Sequence, residues 1–224
     1  MSTPRDQILG TLKTALKRDQ RDPAAARARL AEHPANLIPA RARGDAEARL
    51  ALFTAEAERV EASVARIAGL AELPGEVARY LADNNLPPAL RAAPSLDQVA
   101  WSEQPMLRIS SGSAEGGDAV SVSRAFGAVA ETGTLVFLSG PDNPTTLNFV
   151  PPNHIAVIHA ANIDGDYEAV WTRLRGHMGA GAAMPRTVNW VTGPSRTADI
   201  EQTLLLGAHG PQRLHIVIVD DADA

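Results

Sequence analysis

The fold is best indicated by residues 151–178, which read PPNHIAVIHAANIDGDYEAVWTRLRGHM. The short apolar run at residues 155–158 predicts a buried strand, and the prolines before it stiffen its approach. Residues 167–178 have the pattern of a helix. A strand joined to a helix by a short connection is the repeating unit of proteins with a parallel sheet.

The same pattern extends over the rest of the second half of the chain. Short β-rich runs bounded by Gly and Pro predict further strands at residues 120–122, 134–138, 187–192 and 214–219. Another helix is predicted over residues 198–206. Strands that alternate with helices imply an α/β fold with a largely parallel sheet covered on both faces.

The first half divides into an arm and the beginning of the domain. Residues 1–44 predict an N-terminal helical arm, interrupted by Pro23 and followed by an irregular connector. From residue 45 the compact domain is predicted to run to residue 224. It begins with a helix over residues 45–58, then a strand near residues 60–64, a helix over residues 74–82 and a weak strand near residues 106–109.

Composition excludes several classes of function. The chain has 224 residues, a formal charge of −5 and no cysteine. The acidic balance gives no reason to expect nucleic acid or an anionic membrane as a partner. No apolar run could span a bilayer and no secretory signal is apparent, so we expect a cytoplasmic protein. Without cysteine this chain has no disulfide, no thiol nucleophile and no thiolate ligand for an iron–sulfur cluster.

A candidate anion site lies in residues 193–201, GPSRTADIE, after an apolar strand and before the predicted helix. Backbone N–H groups at a helix start attract anions, and the segment adds hydroxyls and a guanidinium. The alternative is that a hydroxyl only caps the helix and the acidic residues complement its dipole. The candidate ligand-binding residues here are Gly193, Ser195, Arg196, Thr197 and Asp199.

A second candidate is the turn before the strand at residues 134–138. Glu131 is the possible acid, base or nucleophile, and Thr132 and Thr134 add hydroxyls beside Gly133, which permits close backbone approach. A lone Glu in a turn is more often solvated or bonded to the backbone. Spacing alone therefore leaves both interpretations open.

Two histidine-containing turns complete the candidates. Asn153 and His154 enter the strand at residues 155–158, where an imidazole could exchange protons near neutral pH. His209 and Gly210 follow the last predicted helix. A structural His that caps the strand is the favoured alternative. No HxH or HExxH spacing indicates a metal, so no metal site is predicted.

These motifs together resemble the lactate-utilisation protein C family, whose members contain a LUD domain. The resemblance rests on AETGTLV at residues 130–136, PNHI at 152–155, TGPSRTADIE at 192–201 and GAHGP at 207–211, and spans residues 45–224. It implies a three-layer fold similar to the sugar-phosphate isomerase and CoA-transferase group. It also implies a role in oxidising L-lactate to pyruvate beside iron–sulfur partner subunits, with no cofactor in this chain.

Three hypotheses follow. In the first, this cluster-free subunit holds a small organic-acid or phosphate-like anion with Ser195, Arg196 and Thr197, while Glu131 and His154 handle protons. In the second, it is a free-standing isomerase or CoA-transferase-like enzyme with Glu131 as base or acyl acceptor. In the third, it is a non-catalytic scaffold or regulatory protein. A homo-oligomer is compatible with each hypothesis.

Overall fold

The structure is a computed structural model that describes residues 3–17, 23–179, 183–197 and 205–220. The chain divides into two compact units, Met1–Leu37 and Ile38–Ala224. The first contains helices α1 (Pro4–Ala15) and α2 (Pro23–Glu32). The predicted interruption at Pro23 is therefore the first residue of a second helix, a position that suits proline because its missing N–H has no partner there.

The second unit contains the remaining helices and all the strands. Among the described residues, no helix of either unit has the length and apolar character needed to cross a membrane. Its elements are α3 (Ala46–Arg59), α4 (Leu73–Asp83), α5 (Tyr167–Met178), β1 (Ser63–Ile67), β2 (Ala89–Ala92), β3 (Arg108–Ser111), β4 (Val120–Arg124), β5 (Gly127–Val129), β6 (Thr134–Leu138), β7 (Asn153–His159), β8 (Ile163–Asp164), β9 (Val188–Thr192), β10 (Arg196–Thr197), β11 (Leu205–Leu206) and β12 (Arg213–Val219).

Six of these strands form a sheet in the order β1-β12-β7-β4-β2-β3. Every neighbouring pair in it is parallel. The predicted α/β fold with a largely parallel sheet is thus confirmed. Because all six strands run the same way, their carboxyl ends share one edge of the sheet and their amino ends share the opposite edge.

Helices cover both faces of this sheet, as side-chain alternation along β12 shows. Leu214, Ile216 and Ile218 pack in one core with α3, whereas Val217 and Val219 pack in another with α4. All five are at most 2% exposed. Burying each such side chain contributes about 1.5–3 kcal/mol, so the two cores fix the helices against the sheet.

A second sheet corrects one detail of the sequence prediction. The strands at residues 134–138 and 187–192 were expected in the parallel sheet. They form instead β6 and β9 of a separate four-stranded sheet in the order β8-β5-β6-β9, in which β6 is antiparallel to both β5 and β9. The reason is the short turn at residues 130–133, because a parallel connection needs a crossover of a dozen or more residues.

The helix predicted over residues 198–206 is corrected at its last two residues, Leu205 and Leu206, which form a strand. Arg196 and Thr197 are extended and pair antiparallel with Leu206 and Leu205. Residues 198–204 lie outside the described residues. The backbone of Arg196 and Thr197 forms a β ladder, so these two residues do not lie in the first turn of a helix, where backbone N–H groups would bind an anion.

Candidate functional site

A cavity of about 690 Å³ opens at the carboxyl end of the parallel sheet. Arg124, the last residue of β4, and Phe126 line one side. Leu138, the last residue of β6, and Ser139 line another. Its volume is that of an ordinary small-molecule site, and its position is the one where open parallel sheets bind ligands.

The guanidinium of Arg124 in the cavity wall is hydrogen-bonded to a histidine at the end of the neighbouring strand. Nη2 of Arg124 donates to Nε2 of His159 at 2.9 Å. A guanidinium can only donate hydrogen bonds, so Nε2 of His159 is the acceptor and the neutral ring carries its proton on Nδ1. His159 is buried and Arg124 is half-buried. The cavity wall therefore includes an oriented guanidinium, and the carboxylate of Asp142 lines the same cavity.

A second guanidinium in the cavity wall is bound to protein. Nε and Nη2 of Arg173 each donate to the Asp164 carboxylate at 2.8 Å, and Nη1 donates to Asn162 at 3.2 Å. The hydrogen bonds from Arg173 to Asp164 raise the pKa of the guanidinium. Arg173 thus shapes the wall, while further polar groups come from Ser95, Asp142, Asn143 and His177.

The predicted turn around Glu131 packs against α3 rather than into this cavity. Gly133 has φ +64°, and a Cβ placed there would lie 2.5 Å from the backbone nitrogen of Ala57. Only glycine fits this approach. Glu131 is consequently 7% exposed, and no described residue donates a hydrogen bond to its carboxylate. Glu131 therefore has little access to a substrate.

The threonines of that turn take part in a cluster of hydroxyl groups. Thr134 Oγ1 lies 2.7 Å from both Thr132 Oγ1 and Thr192 Oγ1. The hydroxyl of Tyr167 lies 3.1 Å from Thr132 and 3.3 Å from Thr134. The cluster joins β6, β9 and the start of α5, so it accounts for Thr132 and Thr134 without a ligand.

His154 is sealed inside the protein. Its Nε2 lies 2.7 Å from Ser123 Oγ, which donates to Asn148 at 2.9 Å. Nδ1 has no hydrogen-bond partner among the described residues, and the ring packs against Phe137. Burial lowers the pKa of His154 to about 3. The ring is therefore neutral near pH 7 and fully shielded from a substrate, which does not support its predicted proton role.

Gly193 and Arg196 both approach the carboxyl end of α3. A Cβ on Gly193 would lie 2.5 Å from the carbonyl oxygen of Val60, the residue that caps this helix. Arg196 donates from Nη2 to the same oxygen, and Glu61 lies 3.5 Å from that nitrogen. A cation at a helix carboxyl end is stabilised by the helix dipole. Arg196 thus caps α3.

The remaining predicted residues meet at the amino end of the sheet or stand apart. The backbone N–H of His209 donates to Ser195 Oγ at 3.3 Å, and a Cβ on Gly210 would lie 3.4 Å from Ser195 Cβ. Asn153 donates to Ala119 and accepts from Arg213. Thr197 is buried, and Asp199 lies outside the described residues.

The predicted residues therefore do not converge on one site. Across residues 3–17, 23–179, 183–197 and 205–220, no hydrogen bond or ion pair joins Glu131 or His154 to Ser195 or Arg196. In the same ranges, no group of three His, Cys, Asp or Glu side chains could hold a metal ion. Sequence reasoning missed Arg124, although a charged residue at the end of an apolar strand is a usable signal.

Comparison with known proteins agrees with the fold. Residues 119–219 match the family model of the LUD domain. This segment is similar to a LUD domain. That segment runs from residue 119, just before β4, to the end of β12, so it contains Arg124 and Arg173 of the cavity wall and His159, which bonds to Arg124. The resemblance to the lactate-utilisation protein C family seen in the sequence motifs is confirmed.

Curated relatives match this chain over part of their length. An uncharacterized protein of Neisseria meningitidis is 34% identical over 65% of this chain and 56% of its own. Lactate utilization protein C of Geobacillus thermodenitrificans is 32% identical over 42% of this chain and 39% of its own, and that of Bacillus subtilis has the same values. The matches thus span about two fifths to just over half of these relatives.

A solved structure supports the fold alone. The crystal structure of a DUF162 family protein from Deinococcus radiodurans covers 79% of this chain and 99% of its own, with a TM-score of 0.59 and 21% identity. The segment that matches the LUD model contains β4, β7 and β12 of the parallel sheet. Strands β1, β2 and β3 and helices α3 and α4 precede it.

Proposed function

We propose that this LUD-domain protein is a cluster-free component of an L-lactate utilisation system and binds a 2-hydroxy or 2-keto acid at the carboxyl end of its sheet. Two observations support the proposal. Several relatives are named lactate utilization protein C. The cavity presents Arg124, and a guanidinium is the side chain best suited to hold a carboxylate.

The Arg124–His159 pair is the observation that carries the binding part of the proposal. Because His159 accepts this bond as a neutral ring, the contact orients the guanidinium and places no negative charge beside it. A carboxylate would bind the guanidinium of Arg124, and Ser139 and Asn143 would meet the hydroxyl or keto oxygen. Lactate would fill only part of a cavity of about 690 Å³, which leaves room for a group supplied by a partner.

The redox step is assigned to partner subunits. Oxidation of lactate to pyruvate releases two electrons, and this chain has no cysteine with which to hold an iron–sulfur cluster. We therefore expect iron–sulfur subunits as partners that receive these electrons.

Growth and co-purification test this role. Deletion of the gene should abolish growth on L-lactate and leave growth on glucose intact. A tagged wild-type copy should restore growth and co-purify with iron–sulfur proteins from lactate-grown cells. Normal lactate growth of the deletion strain would disprove the proposal, and purification of a solitary protein would disprove its partner part.

Binding to the purified protein tests the site itself. Titration calorimetry with L-lactate and pyruvate should give saturable heats that are lost in Arg124→Ala. Arg108→Ala is a matched control, because Arg108 is exposed on β3 and does not line the cavity. Equal affinity in wild type and Arg124→Ala would remove this assignment of the site.

The structure gives less support to the free-standing isomerase or CoA-transferase hypothesis. An acyl acceptor must reach its substrate, whereas Glu131 is 7% exposed beneath α3. Turnover of a sugar phosphate or acyl-CoA that is abolished in Glu131→Gln would reverse this preference.

A further inference from the structure

A serine, a histidine and a glutamate form a hydrogen-bonded chain at the amino end of the sheet. Ser63 Oγ lies 2.8 Å from Nδ1 of His215, and Nε2 of the same ring lies 2.9 Å from Oε1 of Glu76. Ser63 begins β1, His215 lies on β12, and Glu76 projects from α4. Tyr80 stacks on the imidazole with ring centroids 4.1 Å apart, which fixes the plane of the ring.

The charges of this chain determine which nitrogen of His215 carries the proton. Burial raises the pKa of Glu76, but hydrogen bonds from Arg79 and His215 outweigh it and leave that pKa below its ordinary value. Burial also lowers the pKa of His215, against the raising effect of Glu76. Near pH 7, Glu76 is thus an anion and His215 is neutral.

An anionic carboxylate can only accept hydrogen bonds, so the neutral ring must donate from Nε2 to Glu76. Nδ1 is then a lone pair, and the hydroxyl of Ser63 is the donor to it. This is the arrangement in which a histidine can take the proton of an attacking serine. A serine that only accepted from the ring would lack this activation.

Space for a substrate adjoins the serine. A cavity of about 300 Å³ is lined by Ser63, His215, Tyr80, Arg79 and Arg213. Ser63 is exposed, whereas His215 is 2% exposed, so the hydroxyl is accessible and the base is shielded. Arg79 is bound to Glu76 and Asp83.

Arg213 indicates the charge of the ligand. It is exposed and uses Nη1 in a hydrogen bond to the neutral Asn153 side chain, so its positive charge is not neutralised by that contact. Glu61 lines this cavity and lies 3.5 Å from Arg196, while Glu76 and Asp83 are both paired with Arg79. An anionic group on the substrate would therefore face Arg213.

We propose that Ser63 is the nucleophile of a second site that cleaves a short acyl ester bearing an anionic group, with His215 as general base and Glu76 as the positioning residue. The Ser63 oxygen bonds to the acyl carbon while His215 takes its proton. The ester C–O bond then breaks, and His215 passes the proton to the departing alcohol. Water attacks the acyl-serine in the same way and releases the acid. This site is independent of the lactate proposal.

Covalent labelling of the full chain tests the nucleophile directly. A fluorophosphonate forms a bond from Ser63 Oγ to phosphorus with loss of fluoride, and intact-mass and peptide spectrometry locate the adduct. We expect one adduct, on Ser63, which is lost in Ser63→Ala and is retained in Ser110→Ala. Ser110 is also exposed, but it lies on β3 outside the cavity.

The positioning role of Glu76 has its own readout. Glu76→Gln should slow labelling at least tenfold near pH 7, because an amide no longer fixes the proton on Nε2. In wild type the labelling rate should fall in acid with a midpoint below pH 6.5, because burial lowers the pKa of His215. Thermal melting of each variant confirms that it folds.

Absence of an adduct on Ser63 in the folded protein would overturn the proposal. Equal labelling of Ser63 and Ser110 would do the same, because it would reveal an unactivated hydroxyl. An unchanged labelling rate in folded Glu76→Gln would remove the role of Glu76. If Ser63 is labelled, hydrolysis of acetyl and succinyl p-nitrophenyl esters should be faster for the anionic ester, and this preference should be lost in Arg213→Ala.

Discussion

The two ends of the parallel sheet each hold a buried histidine, and the histidines are in opposite tautomers. At the carboxyl end His159 accepts from Arg124, so its proton is on Nδ1. At the amino end His215 donates to Glu76, so its proton is on Nε2. The charge of the partner therefore determines which ring nitrogen carries the proton. Beside a cation the ring accepts a hydrogen bond and orients the guanidinium; beside an anion it donates, and its other nitrogen keeps a lone pair that can accept a proton.

The largest effect on the unfolding free energy is expected from a third histidine, His154. It lines neither cavity, so it shows how an imidazole behaves without a charged partner. Burial lowers its pKa to about 3, so as the pH falls the unfolded chain takes up a proton on this ring before the folded protein does. The unfolding free energy is therefore full above the unfolded pKa and decreases below it. Between pH 7 and pH 4 this group should cost about 3 kcal/mol of unfolding free energy. Urea unfolding at both pH values should show a smaller acid loss in His154→Gln. Equal losses would contradict the assignment.

The second prediction asks whether the two ends are independent. Arg124→Ala should weaken binding of L-lactate about thirtyfold, because a charged hydrogen bond contributes about 2 kcal/mol. Calorimetry measures the affinity, and fluorophosphonate labelling of Ser63 in the same variant should be unchanged. A change in both lactate affinity and Ser63 labelling would contradict the independence of the two ends, because it would indicate that the cavities are coupled.

The third prediction concerns the anion at the amino end. Glu76→Gln should lower the unfolding free energy by about 1.5 kcal/mol, since it replaces charged hydrogen bonds to His215 and Arg79 with neutral ones. Nitrogen NMR of His215 should show Nε2 protonated in wild type and a mixture of tautomers in the variant. His159 should keep its tautomer in both proteins. A fixed Nδ1–H tautomer of His215 in wild type would contradict this account of the chain.

The smallest effect is expected at the wall of the carboxyl-end cavity. Arg173→Lys keeps the charge but cannot form both bonds to Asp164, and the partly exposed pair should lose only about 0.5–1 kcal/mol. Thermal unfolding of the variant measures the change. Lactate affinity should fall less than in Arg124→Ala; an equal fall would mean that Arg173, rather than Arg124, holds the ligand.

Local patterns in the sequence predicted much of the fold. The helix Tyr167–Met178 and the strand Thr134–Leu138 were predicted with their observed bounds, because periodicity and breakers mark both. Strand β2 was missed, since its four residues ALRA carry little β propensity. The second sheet was missed because pairing partners depend on the tertiary fold.

The sites were less predictable because their residues are distant in sequence. Ser63 lies 152 residues before His215, and Glu76 lies 139 residues before it. Arg124 and His159 are 35 residues apart. None of these pairs has a spacing that a motif could reveal, whereas the conspicuous GPSRT segment is explained by contacts with α3.

Those contacts with α3 show that residues 119–219, which match the LUD model, depend on residues before them. Gly193 and Arg196 lie within residues 119–219, but both contact Val60, which lies outside that range. Strand β12 likewise pairs with β1, which precedes it. A fragment cut at residues 119 and 219 would leave β12 with an unpaired edge and both faces of its sheet without their helices. The segment that matches the LUD model is thus smaller than the compact unit Ile38–Ala224, and the residues before it complete the sheet and its helices.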